Sequence, residues 1–202
     1  MNDSRPYKQP RPICAGCGRQ RESKTSICAR CSRHLDNLDP LLGCGPAGLD
    51  RVWSSAPYES TARSLVAALK FRHLLPVADL MADRIDWLAP AHMLSGTIVP
   101  VPFAGRARRG KVFDPADAIA TALANRLDSR SMSCLAITGT SRRGSHRARS
   151  ENPPEIRATH AAPRSVLLVD DVLQGGAVLS ASAKALRAVG ASRVVAITFA
   201  RR

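Results

Sequence analysis

The sequence predicts an α/β protein: a mostly parallel sheet covered by helices on both faces, preceded by a small four-cysteine module. Three observations carry this. Short apolar runs alternate with segments of helical periodicity after residue 50. One of those runs, Val166-Leu-Leu-Val169, ends in two acids and a glycine-rich turn that opens a helix. Cys14, Cys17, Cys28 and Cys31 form two Cys-x-x-Cys pairs near the front of the chain.

The cysteines come first. Two such knuckles place four thiolates at the corners of a tetrahedron, and a segment this short has too little core to fold unaided. A structural zinc site on Cys14, Cys17, Cys28 and Cys31 is expected, closed to substrate because no coordination position stays open. His34 reads as a surface residue and Cys134 as a buried small hydrophobe. Cys44 lies in a turn and is expected near the metal. The turn cluster Gly43-Cys-Gly-Pro-Ala-Gly48 suggests a boundary, giving a zinc-binding module over 1–45 and a second domain over 50–202.

Within the second domain, Val52–Ala56 reads as a strand. Ser60–Phe71 reads as a helix with Leu65, Ala68 and Leu69 on one stripe. Pro76 opens a helix to about Leu88, with Val77, Leu80, Met81 and Ile85 inward. Gly96–Val101 is a strand. Asp114-Pro115 is an N-cap followed by a first-turn proline, opening a helix to about Leu127. Strands follow at Ser133–Thr138, Arg164–Asp170 and Arg193–Phe199, with a helix over Leu179–Val189 between the last two. In such sheets the ligand site lies beyond the C-terminal strand ends. The candidate loops are Val99–Gly110, Gly139–His146 and Asp170–Val178.

The last loop carries the most chemistry. A strand, a glycine turn and a helix N-terminus offer backbone N–H groups to a phosphate. Gly175 and Gly176 permit a tight wrap. Asp170 and Asp171 point to opposite faces of the strand and can grip ribose hydroxyls or magnesium, directly or through water. Arg106, Arg108 and Arg109 follow Pro100-Val101-Pro102 and can meet a pyrophosphate from the other side, Arg109 foremost. Arg142, Arg143, His146, Arg147 and Arg149 form a second basic stretch. No nucleophile stands at readable spacing from a base.

Composition sets the class of partner. The net charge is +14, with eight Lys/Arg against four Asp/Glu in residues 1–45 and twelve against five in residues 101–164. That excess favours anionic partners: phosphorylated small molecules, nucleic acid or acidic lipid. The basic residues are not interleaved with aromatics, so stacking on single strands is not indicated. No apolar run is long enough to span a membrane, and the first residues lack a signal segment. A reducing cytoplasm fits.

The run Val166–Val178 resembles the ribose-phosphate motif of type I phosphoribosyltransferases. The whole layout is similar to the ComF family of competence-associated proteins. The Cys-x-x-Cys pairs resemble that family's zinc module. Ala68-Leu69-Lys70-Phe71-Arg72 matches its Leu-Lys-Phe segment, and Ile98-Val99-Pro100-Val101-Pro102 its Val-Pro-Val-Pro strand. Arg109-Gly110 with Phe113-Asp114 resembles its Arg-Gly-Phe-Asn run, with Lys111 and Val112 inserted. Arg149-x-x-Asn152 and the tail Leu186–Ala200 also fit.

The resemblance implies a phosphoribosyltransferase-like domain whose substrate is phosphoribosyl pyrophosphate or a related ribose-5-phosphate ligand, bound with magnesium. If it is an enzyme, it is a magnesium-dependent glycosyltransferase. Asp170 and Asp171 would hold the ribose hydroxyls. Gln174, Gly175, Gly176, Ala177 and Val178 would surround the 5′-phosphate, and Arg109 would approach the pyrophosphate. The family's Thr-Thr-Gly-x-Thr loop reads Gln-Gly-Gly-Ala-Val here, so three hydroxyls are replaced and binding is implied more firmly than turnover. The alternative is a non-catalytic protein of DNA uptake or nucleic-acid handling, with nucleic acid or an uptake protein as partner.

Overall fold

The computed structural model describes residues 12–21, 25–103, 113–138 and 155–202. The elements in chain order are α1 (Ala29–Asp36), β1 (Leu41–Gly43), β2 (Arg51–Pro57), α2 (Ser60–Arg72), α3 (Leu75–Leu88) and β3 (Thr97–Pro100). They continue with α4 (Pro115–Arg126), β4 (Leu135–Ile137), β5 (Ile156–Ala158), β6 (Ser165–Leu173), α5 (Ala177–Ala188) and β7 (Arg193–Arg201).

The central sheet has the order β1-β2-β7-β6-β3. β2, β7, β6 and β3 run parallel, and only the edge strand β1 is antiparallel. The parallel strands are buried on both faces, as their unbroken apolar runs require. Residue parity divides the faces. Trp53, Leu167, Val169, Val195, Ile197 and Phe199 join the cluster made with α2, α3 and α4. Val52, Val166, Leu168, Val194 and Ala196 join Leu179, Ala183 and Leu186 of α5 on the other face.

Local signals place the helices as expected. Asp114 caps α4: its Oδ1 accepts from the N–H groups of Ala116 at 2.9 Å and Asp117 at 3.3 Å, and Pro115 occupies the first turn. α2 ends at His73, whose left-handed φ of 52° stops the helix, and Lys70 and Arg72 lie in its last turn.

Two strands differ from expectation. The run at 133–138 does not enter the main sheet; its centre, Leu135–Ile137, pairs antiparallel with Ile156–Ala158 as a separate two-stranded ribbon. Cys134 beside it is fully buried against the α5 face. β6 continues beyond Asp170, because β7 keeps pairing with it as far as Leu173 opposite Arg201. The ladder therefore carries both acids inside the strand.

The cysteine segment shares the first core. Cys14, Ala15, Ile27, Cys31 and Leu35 lie in one apolar cluster with Leu65, Leu69 and Met81. Arg84 of α3, only 9% exposed, ties it further: its Nη2 donates to the carbonyls of Leu38 at 2.5 Å and Ser55 at 3.1 Å. The segment after β1 docks on α5. Ser180 Oγ donates to Ala47 O at 2.7 Å, and Arg187 Nε donates to Gly48 O at 2.7 Å while its Nη2 pairs with Asp50 at 2.8 Å. Among the described residues no helix is long and apolar enough to cross a membrane.

Candidate metal centre and strand-end site

The four cysteines of the double knuckle converge. The Sγ atoms of Cys14, Cys17, Cys28 and Cys31 all lie within 4.8 Å of one another. Cys17 and Cys28 are 3.8 Å apart, and metal–sulfur bonds of about 2.3 Å give a tetrahedron with edges of about 3.8 Å. Gly16 is obligatory: a Cβ there would stand 2.9 Å from Cys31 Sγ. Burial pushes the Cys14 thiol up, but hydrogen bonds from the backbone around Cys28, Cys17 and Gly16 outweigh it and bring it to about 6. The amide of Cys31 lowers Cys28. Burial, then the three neighbouring sulfurs, drive Cys31 up to about 12. Four sulfurs so crowded resist full ionisation without a cation, and a dication would remove that resistance. The cluster fits a structural metal site. His34 is exposed, and neither it nor Cys44, also exposed, belongs to the group.

The second site lies at the C-terminal end of β6. Asp171 is on the face of α2, where Lys70 Nζ stands 2.7 Å from its Oδ2, an ion pair without hydrogen-bond geometry. Its residue is 4% exposed. Asp170, the residue before it, is half-buried. Its Oδ1 accepts from the N–H of Asp171 at 2.8 Å. Burial, then the adjacent Asp171 charge, push the Asp170 carboxyl well above the usual carboxylate range, with Lys70 opposing. Asp170 is opposite Thr198, and Thr198 is opposite Ser54, whose hydroxyl is 2.7 Å from that of Thr198. Both hydroxyl residues are fully buried.

The turn that follows is built for close approach. Gly175 and Gly176 take φ of 69° and 71°, and Gly176 caps α5. A Cβ on Gly176 would collide with the ring of Pro46, which closes one side of the loop. Gln174 and Gly175 are exposed, while Ala177 and Val178 are half-buried in the first turn, whose N–H groups lack carbonyl partners one turn back. Arg201 ends β7 beside this loop, opposite Leu173.

The structure thus brings together Asp170, Asp171, Gln174, Gly175, Gly176, Ala177 and Val178. Arg109 lies outside the described residues, as do Arg106, Arg108, Arg142, Arg143, His146, Arg147, Arg149 and Asn152. Val101 marks where its loop leaves the sheet, its N–H donating to Val169 O at 2.9 Å. Lys70 is the site residue to which sequence reasoning gave no role. The available signal was a lysine in the inward stripe of a helix, beside Ala68 and Leu69. A separate open groove of about 530 Å³, lined by Thr97, Asp128, Arg130 and Ser165, lies at the N-terminal ends of β3 and β6. It is at the other end of the strands from the acids.

Compared with known proteins, the chain matches no family model and no curated sequence.

Proposed function

We propose that the chain is a phosphoribosyltransferase-like protein of the ComF type, binding phosphoribosyl pyrophosphate or a related ribose-5-phosphate ligand with magnesium. The supporting observation is the junction at the end of β6. An acid pair, two left-handed glycines and the first turn of α5 follow one another at the C-terminal edge of a parallel sheet. The acid pair serves the ribose hydroxyls. The loop from Gln174 to Val178 takes the 5′-phosphate on backbone N–H groups. Arg109, from the loop after Val101, serves the pyrophosphate.

Any transfer would be displacement at the anomeric carbon, with charge on the departing pyrophosphate stabilised by arginine and backbone donors. The metal would add to that stabilisation. The cysteine cluster holds zinc as a structural ion, since four thiolates suit it and leave no reactive position. Calorimetric titration with phosphoribosyl pyrophosphate and magnesium tests the ligand. Binding in the wild type, weakened roughly ten- to hundredfold in D170N, supports the reading, because a charge-assisted bond contributes about 1.5–3 kcal/mol. No binding at millimolar ligand sinks it.

The net charge of +14 favours a second reading, a non-catalytic protein that handles nucleic acid. It requires DNA binding that weakens steeply with salt and survives the D170N substitution.

A further inference from the structure

We infer that Lys70 is the built-in counter-ion of Asp171, occupying the place a divalent cation would otherwise take, so that Asp170 alone of the two acids is left to meet a ligand. This rests on the reading of the strand end as a ligand site and divides the work of its acid pair.

Asp170 and Asp171 are consecutive near the C-terminal end of β6, and their carboxyl groups interact with each other. They differ in burial: Asp171 is 4% exposed, whereas Asp170 is half-buried. The α2 face is closed over Asp171, whose side chain is only 6% exposed. A lone carboxylate at that depth would protonate or draw in a cation, because the cost of burying it unpaired is large. Lys70 supplies the cation from the chain itself, its ammonium 2.7 Å from Oδ2 and its side chain 27% exposed.

Lys70 is also held in place from outside. One turn of helix carries it together with Arg72, whose Nη2 donates to the carbonyl of Ala15 at 3.0 Å. The last turn of α2 is thereby fixed to the cysteine knuckle on one side and to Asp171 on the other. Magnesium and manganese ask for about six oxygen ligands in regular geometry. With Asp171 Oδ2 already against an ammonium, the pair offers such an ion little more than Asp170. Lys70 is therefore a positioning residue: it acts on the ligand through Asp171 and through the charge that reaches Asp170.

The test uses manganese(II) alone, followed by electron paramagnetic resonance, on the full-length protein with its cysteine cluster saturated with zinc. Wild type, K70M, D171N and K70M/D171N are compared. The expected result is weak uptake by wild type, affinity about tenfold or more higher in K70M, and loss of that gain in K70M/D171N. Equal manganese affinity in wild type and K70M overturns the proposal. So does a gain that persists in K70M/D171N.

Folding is monitored by thermal unfolding of the same four proteins. An ion pair predicts that K70M/D171N unfolds at a higher temperature than K70M, because the second change removes the stranded charge. Additive losses overturn the pairing even where K70M is too unstable for metal titration. Neither readout contains a phosphoribosyl ligand. A chain that shows the manganese gain but binds no phosphoribosyl pyrophosphate keeps the role of Lys70 and loses the proposed function.

Discussion

Arg72 donates to the carbonyl of Ala15, inside the first cysteine knuckle, from the same helical turn that presents Lys70 to Asp171. The two basic residues are separated by one position yet secure two different neighbours. R72M removes a charge-assisted bond to a carbonyl and is expected to cost about 1–2 kcal/mol. Chemical denaturation checks this. No change in stability would show that the apolar contacts of α2 hold the knuckle by themselves.

The knuckle itself should bind one zinc per chain. Cobalt substitution should give the visible absorption of a tetrahedral thiolate site, and C31A should abolish it. Stripping the metal leaves crowded thiols on the core face shared with α2 and α3. The expected outcome is a lower melting temperature for the whole chain rather than a local change. A stripped protein that melts at the same temperature would show that the cluster is not structural.

Asp170 supplies a pH prediction. Its folded-state pKa is raised, chiefly by burial and then by the charge of Asp171. Between the ordinary carboxylate value and that raised value, the folded chain binds the proton more tightly than the unfolded chain. Stability from this group is therefore fully present at low pH and lost as pH rises through the folded pKa. D170N keeps an oxygen for the Asp171 N–H and lacks the penalty. Its stability relative to wild type should grow as pH rises above about 4, the ordinary carboxylate value, read from denaturation curves. A difference that does not vary with pH would contradict this.

Gly176 and Gly175 share a backbone conformation but not an environment. G176A strains a left-handed position and drives a methyl group into Pro46, so a loss of about 2–4 kcal/mol is expected. G175A strains the same left-handed conformation on an exposed residue and should cost about 1–2 kcal/mol. Replacing Pro46 by glycine in the G176A background should recover part of the loss. Equal effects of the two alanines would show that the proline contact carries nothing.

Arg84 and Asp36 form a contrasting pair. Asp36 is 3.9 Å from the guanidinium with its side chain 67% exposed, so D36A should change stability by less than about 1 kcal/mol. R84M strands the buried carbonyl of Ser55 and the part-buried carbonyl of Leu38 and should cost about 2–4 kcal/mol. Comparable losses from both variants would show that the arginine works mainly through the ion pair.

The features legible in the sequence are those set by local chemistry. The spacing of Cys14, Cys17, Cys28 and Cys31 gives the cluster. The apolar stripe of Leu65, Ala68 and Leu69 gives α2, and Asp114-Pro115 gives the start of α4. What escaped depends on distant partners. Asp170 and Asp171 do not look like strand interior, and only pairing with β7 keeps them there. Leu135–Ile137 reads as one more parallel strand, but its partner Ile156–Ala158 is too short to announce itself. Lys70 and Asp171 are far apart in sequence, and nothing local signals that they meet. The chain from Gly45 to Gly48 has turn composition and still docks on α5, because Gly48 lets the backbone approach Ala183 and Lys184.

One consequence concerns where the chain can be cut. Cys14, Ala15, Ile27, Cys31 and Leu35 complete an apolar surface that also contains Leu65, Leu69 and Met81. Deleting the first 45 residues would uncover that surface and take Leu38, a carbonyl partner of Arg84, with it. A shortened protein would carry a sticky, half-built flank, so a lost binding activity would report damage rather than a missing contact. Charge-neutralising substitutions at exposed lysines and arginines of the intact chain are the way to ask whether this end of the molecule touches a polyanion.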